Sequence, residues 1–267
     1  MTDPRFDVTA IGNAIVDVLA DASDEFLAAE GMHKGGMRLI DEAEATRLYA
    51  AMGPAREASG GSAANTVAGL SALGQKTAFI GQIGNDQLGE IFAHDIRSLG
   101  VTFDTQAKSG IGATARCLIL VTPDAQRTMN TFLGAAQMLD LDAVDAALIA
   151  DSRILYLEGY LWDPEAPRLA MRKAIAAARS GGTKVAFTLS DSFVVERHRA
   201  DLNDLFDQSS IDILFANEPE ALALTGATDV DSAIAAIAAR VPTAVVTRSE
   251  HGAVAVSGGE RAAVPAE

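Results

Sequence analysis

Ser59-Gly60-Gly61-Ser62-Ala63-Ala64-Asn65-Thr66 is the stretch on which the reading of this chain turns. Two glycines remove side chains at a turn. A helix is predicted to follow at once, with Val67, Leu70 and Leu73 on one side and Gly74 as its stop. Glycine takes positive φ at little cost and lets another group come close to the backbone. Ser62 is placed to cap the helix, whose first N–H groups have no partner inside it. Asn65, one turn in, adds an amide to what is otherwise a glycine floor. A Gly-Gly-Ser start is also ordinary loop-and-cap chemistry, so the rest of the chain must decide its meaning.

Upstream, Phe6 to Ile11 reads as a buried first strand ending at Gly12. Asn13 and Asp17 follow it in a polar strand-end loop. Open α/β sheets bind ligands at the carboxyl ends of their strands. A carboxylate there suits vicinal hydroxyls, because it only accepts and each hydroxyl donates. Ala20 to Ile40, interrupted by Gly31, Gly35 and Gly36, reads as short strands and turns outside the main layer. A helix opens at Asp41 or Glu42 and runs to about Met52.

Downstream, Lys76 to Ile83 reads as a strand, and Asp86 caps a helix over Gln87 to Leu99 that Gly100 ends. Thr114 to Thr122 and Arg127 to Phe132 form a hairpin around Pro123-Asp124. With the Ala20–Ile40 segment it is expected to make a small accessory sheet, over about 18–38 and 105–134. From Leu139 onward strands and helices alternate. The strands are Arg153–Leu157, Lys184–Leu189, Asp212–Ala216, Ala244–Thr247 and Ala253–Val256. Helices fall near Asp142–Ala150, Pro167–Arg179, Phe193–Phe206, Glu218–Leu224 and Asp231–Ala239. This pattern indicates an α/β fold with a mostly parallel central sheet and helices on both faces. The expectation is one domain over 1–267, with the small β-sheet inserted discontinuously.

Bulk properties remove several classes. Apolar residues make up 49% and charged residues 21%, ordinary for a soluble globular chain. The formal net charge of −15 argues against a nucleic-acid or anionic-membrane binder, both of which need a positive surface. The one cysteine, Cys117, cannot form an internal disulfide, which fits a reducing compartment, and it reads as a buried strand residue. Met1-Thr2-Asp3-Pro4 shows no basic leader, and no apolar run is long enough to cross a bilayer. The expected location is the cytoplasm.

Two further motifs sit at strand ends. Asn217-Glu218-Pro219-Glu220 follows the Ile213–Ala216 strand and reads as a capping box. The same acidic residues could hold waters around Mg²⁺, which keeps much of its hydration shell. Val245 to Gly252 is a strand and a polar turn, with a hydroxyl at Thr247 and close approach at Gly252. There is no G-x-x-x-x-G-K-[ST], and the histidines are too scattered for zinc. Gly110 to Ala115 mimics a dinucleotide fingerprint, but a strand follows it rather than a helix. Ser62, Asp191 and His251 keep a serine hydrolase as an alternative from another class. No strand is read entering Gly60-Gly61 from Glu57-Ala58, so the nucleophile-elbow context is missing.

In combination these motifs resemble the ribokinase-like (PfkB) family of carbohydrate and purine kinases, over essentially the whole chain. Gly12 to Asp17 is similar to the family's N-terminal substrate segment. Ser59 to Thr66, with Gly81-Gln82-Ile83-Gly84-Asn85-Asp86-Gln87-Leu88-Gly89, is similar to its first signature. Asn217-Glu218-Pro219-Glu220 matches its N-x-x-E motif, and Thr247 to Gly252 its T-x-G-x-x-G turn, with Ser249 at the middle glycine. The resemblance implies a ribokinase-like, Rossmann-type fold whose small sheet is a lid over the substrate. It implies transfer of the γ-phosphoryl of ATP, with Mg²⁺, to a primary hydroxyl. Asn13, Asp17, Gly60, Gly61 and Asn65 would surround the acceptor. Asn217, Glu220, Thr247 and Gly252 would serve ATP and phosphate, with Glu220 meeting Mg²⁺ through water.

Gly12–Asp17 and Thr188-Leu189-Ser190-Asp191-Ser192-Phe193 are most similar to adenosine kinases, so adenosine is the expected acceptor and a free sugar the alternative. The family's late D-T-x-G-A-G-D motif, its phosphoryl anion hole and catalytic Asp, has no counterpart in these 267 residues. No catalytic residue is therefore assigned, and the chain alone is expected to be inactive. A longer native chain, or a nucleoside-binding homologue without catalysis, would account for that. A monomer or homodimer is expected. By this reading the opening stretch serves hydroxyls rather than phosphate.

Overall fold

The computed structural model describes residues 3–266. Met1, Thr2 and Glu267, on which the readings of the chain ends draw, lie outside them. The chain runs through β1 (Phe6–Ile11), β2 (Ile15–Asp21), α1 (Asp24–Ala29), β3 (Met37–Leu39), α2 (Glu42–Ala51) and β4 (Ala55–Gly60). Next come α3 (Ser62–Ala72), β5 (Thr77–Ile80), α4 (Gln87–Ser98), β6 (Ala115–Val121) and β7 (Arg127–Phe132). Then follow α5 (Ala146–Ala150), β8 (Ser152–Glu158), α6 (Glu165–Gly181), β9 (Lys184–Thr188), α7 (Ser192–Asp207) and β10 (Ile213–Asn217). The last elements are α8 (Glu218–Thr225), α9 (Val230–Ala238), β11 (Thr243–Thr247), β12 (Ala253–Ser257) and β13 (Glu260–Val264). The chain, read above as one domain with a small inserted sheet, divides by contact into two compact units. One takes residues up to Ile11 and from Asp140 onward; the other is Gly12–Leu139.

In the first unit the strands run β13-β12-β11-β10-β9-β8-β1. Strands β1, β8, β9, β10 and β11 are parallel, because helices long enough to make the return crossing join β8 through β11. Strands β12 and β13 are antiparallel, since short turns precede them; Gly258 and Gly259 both take positive φ between them. Leu155, Leu157, Val185, Phe187, Leu214, Ala216, Ala244 and Val246 form the buried face. Trp162 packs edge-on to Phe187, which meets Phe206 the same way. Each such side chain contributes roughly 1.5–3 kcal/mol by leaving water. The large, mostly parallel sheet with helices is the α/β class expected. Sequence reading missed β13, whose residues are all exposed and carry no alternation.

The second unit holds the small sheet, in order β3-β7-β6-β2-β4. The β6–β7 hairpin is antiparallel, β2 lies parallel to β6, and β4 runs antiparallel to β2. Three features differ from expectation. Strand β4 does enter Gly60-Gly61; as an edge strand with exposed residues at its start, it lacks the apolar alternation that marks strands. Asp24–Ala29 is a helix capped by Ser23, too short for a 3.6-residue period to show. The strand read over Lys76–Ile83 is only Thr77–Ile80. Phe92 of α4 packs with Phe79 and Phe103 in a buried aromatic cluster. Among the described residues no single helix is long and apolar enough to cross a membrane.

Candidate functional site

The antiparallel register of β2 and β4 sets Ile15 opposite Gly60 and Asp17 opposite Ala58. Asp17 therefore stands in mid-strand, not in the strand-end loop expected. Val16, Val18 and Ala20 point the other way and are buried. A Cβ on Gly60 would overlap the Asp17 carboxylate, lying 2.6 Å from its farther oxygen. Gly61 has φ +98°, and a Cβ there would overlap the Asn13 carbonyl oxygen. Asn13 itself is 3% exposed. The fold thus brings Asn13, Asp17, Gly60 and Gly61 together, through backbone approaches only glycine permits.

Gly61, not Ser62, is the N-cap of α3, and no side chain caps this helix. The expected serine cap is displaced because the residue meeting Asn13 must have positive φ, which pushes Ser62 into the first turn. Asn65 is exposed on α3, and its N–H donates to the Gly61 carbonyl at 2.9 Å.

Burial raises the Asp17 carboxyl to about 6, against a smaller lowering by the Arg127 charge. Cys117 is its register partner on β6, and Thr131 is in turn opposite Cys117. Burial, with the Asp17 charge adding, pushes the Cys117 thiol up to about 11. The Thr131 hydroxyl donates to its sulfur at 3.3 Å. Cys117 is a neutral, buried strand residue, as its sequence context suggested. Cys117 and Thr131 carry no sequence signal as neighbours of Asp17, because only strand register puts them there.

In the first unit, Asn217 caps α8. Its Oδ1 accepts the Glu220 N–H at 2.8 Å, while its own N–H and Nδ2 donate to Glu220 at 3.0 and 2.9 Å. Glu220 is 4% exposed, and burial raises its carboxyl, opposed by the Asn217 N–H. Asn217 and Thr247 are register partners at the carboxyl ends of parallel β10 and β11, and both are exposed. Thr247 leads into the 248–252 turn, which closes through Arg248 N–H to the Gly252 carbonyl at 2.7 Å. Gly252 has φ +81°, and a Cβ there would overlap the Val264 carbonyl oxygen. Arg248 donates to Glu218 at 3.2 Å, tying this turn to the start of α8.

Among the described residues no group of three or more His, Cys, Asp or Glu is set to hold a metal ion. Glu220 brings one carboxylate whose two oxygens already accept from Asn217. That donor set suits a hard cation that keeps its own waters, not a caged one. The strand–turn–helix formed by β4, Gly61 and α3 restores the context a nucleophilic serine would need. Of the other hydrolase residues, Asp191 accepts the Phe193 N–H at 2.8 Å as the cap of α7, and His251 lies 3.9 Å from Glu250.

A model of the pfkB family of carbohydrate kinases matches residues 44–267. The chain is similar to the solved structure of adenosine kinase from Sinorhizobium meliloti, with 48% identity over 98% of this chain and 80% of that one, at a TM-score of 0.89. It is similar to a probable sugar kinase protein from Rhizobium etli CFN 42, with 46% identity over 99% of this chain and 80% of that one, at a TM-score of 0.90. It is also similar to guanosine-inosine kinase of Escherichia coli (strain K12), with 27% identity over 83% of this chain and 53% of that protein. The chain spans about half the length of the curated relatives it first matches.

Proposed function

The chain belongs to the pfkB family of carbohydrate kinases, and from that premise we propose that it serves phosphoryl transfer from ATP to the 5′-hydroxyl of a nucleoside, adenosine first. The observation that carries this is the Asp17 carboxylate packed on the bare backbone of Gly60. Burial works against its charge in the protein alone, and vicinal hydroxyls are the donors that would offset it. Asp17 accepts from the ribose hydroxyls; Asn13 and Asn65 add amide groups; Gly60 and Gly61 let the sugar lie against the chain.

ATP would supply the γ-phosphoryl, and Mg²⁺, where bound, would screen its charge. Asn217, Glu220, Thr247 and Gly252 would hold the triphosphate, with Glu220 reaching the metal through a water. The small sheet closes over the acceptor and keeps water from taking the phosphoryl. The 267 residues contain no Gly-Ala-Gly-Asp run, so the polypeptide of these residues alone is expected to bind without turning over. The protein works in the cytoplasm, as a monomer or homodimer, with no nucleic-acid or membrane partner.

The 48% identity to an adenosine kinase supports a nucleoside; the 46% identity to a probable sugar kinase keeps a free sugar as the second reading. Calorimetric titration with adenosine, guanosine, inosine, ribose and fructose tests the choice. Adenosine is expected to bind tightest, and tighter binding of ribose or fructose overturns the nucleoside assignment.

A further inference from the structure

Helix α4 holds both strands that flank β2. At its start Asp86 accepts from three donors: the Gly89 N–H at 2.8 Å, the Thr114 N–H at 2.7 Å and the Thr114 hydroxyl at 2.6 Å. Thr114 is fully buried and stands one residue before β6. Its Oγ1 also accepts the Gly84 N–H at 2.9 Å. Hydrogen bonds from Thr114 and Gly89 lower the Asp86 carboxyl despite the opposing effect of burial, so it is ionised and a strong acceptor. A Cβ on Gly89 would overlap the Gly84 carbonyl oxygen, so the first turn of α4 presses onto this loop.

Nine residues further along α4, about 13 Å at the helical rise, Asp95 reaches the opposite neighbour of β2. Its Oδ2 accepts both the N–H and the hydroxyl of Ser59, each at 2.7 Å. Ser59 is the residue before Gly60, and β4 is an edge strand with no further strand to take that N–H. One helix therefore fastens the start of β6 and the end of β4, and β2, which carries Asp17, lies between them.

We propose that Asp86 and Asp95 are positioning residues that fix Asp17 over Gly60 by clamping the two neighbours of β2 to α4. They touch no substrate; they act through Thr114 and Ser59. The proposal rests on the nucleoside-kinase reading for its meaning, but not for its test. Loosening either clamp lets β2 and β4 separate, admits water to the Asp17 carboxylate and lowers its affinity for hydroxyls.

The test uses the full chain with Asp95→Asn, Ser59→Ala, Thr114→Val and the conservative Ser59→Thr. Three quantities are read: the adenosine Kd by calorimetry, the Asp17 carboxyl titration by ¹³C NMR on the free protein, and the unfolding midpoint. Ser59→Ala and Asp95→Asn are expected to raise Kd roughly tenfold, the factor that about 1.4 kcal/mol sets. They are also expected to move the Asp17 midpoint down from about 6 toward the ordinary range. Ser59→Thr keeps both values. A lower unfolding midpoint with an unmoved Asp17 titration and an unmoved Kd marks a purely structural clamp and overturns the proposal. If the unaltered chain binds neither nucleoside nor sugar, the functional reading fails, while the Asp17 titration still decides the positioning role. Thr114→Val carries the test from the β6 side should Asp95→Asn not fold.

Discussion

Asp17 on β2 and Glu220 at the start of α8 are both carboxylates raised by burial, and they differ in what surrounds them. Glu220 is answered locally: Asn217, three residues back, donates to both of its oxygens, and the capping box is complete without a ligand. Asp17 meets groups remote in sequence, the backbone of Gly60 and the thiol of Cys117, neither of which neutralises it. Helix capping alone accounts for the buried charge of Glu220. That of Asp17 has no such local account, and it is therefore the stronger pointer to a bound hydroxyl.

The sharpest way to break this contrast is Gly60→Ala. The new methyl overlaps the Asp17 carboxylate, and adenosine affinity is expected to fall on the order of 100-fold, about 2.7 kcal/mol. Calorimetry that finds wild-type affinity removes Asp17 from the site. Gly61→Ala strains a φ of +98° and meets the Asn13 carbonyl; urea unfolding should show a loss of roughly 2–4 kcal/mol.

Asp17→Asn separates function from stability. The folded pKa of about 6 exceeds the ordinary aspartate value of 3.8. The stability this group contributes is thus full below 3.8 and lost as pH rises through 6, by roughly 3 kcal/mol at most. Asparagine carries no charge to bury. The variant is expected to unfold at higher urea than wild type at pH 8, with the gap closing at pH 4, while adenosine affinity drops by roughly 1.5–3 kcal/mol. A gap that does not change between the two pH values contradicts the buried-charge account.

For Glu220→Ala the expectation reverses. Losing the capping partner should cost about 0.5–2 kcal/mol of stability and leave adenosine affinity unmoved. A fall in Mg²⁺-dependent ATP affinity beyond that would assign Glu220 its metal role. The smallest effect is expected at Ser249, which holds φ +51° at the position where the family turn has glycine. The turn keeps the glycine conformation without the glycine, so Ser249→Gly should raise the unfolding free energy by roughly 0.5 kcal/mol.

Much of the first unit was legible because its signals are local. Strands β8 to β12 and the helices between them follow from apolar runs broken by caps, and the capping box of Asn217 and Glu220 stands in four consecutive residues. The small sheet was legible only in outline. The hairpin showed in its β-formers and turn, but β4 was missed because an edge strand need not alternate. Asp17 stands out in the sequence as a residue but not as part of a strand, since a seven-residue strand with a carboxylate at its third position does not look like one.

The sequence by itself determined the α/β class, the order of the motifs and the identity of Asn13, Asp17, Gly60, Gly61, Asn65, Asn217, Glu220, Thr247 and Gly252 as candidates. Each of these is encoded within a few neighbouring residues, in glycine spacing, caps or strand-end position. Tertiary structure decided which of them meet. That Asp17 rests on Gly60, that Gly61 and not Ser62 begins α3, and that α4 holds Ser59 and Thr114 on either side of β2 are consequences of strand register and helix packing. Those depend on residues far apart along the chain, and no local pattern records them.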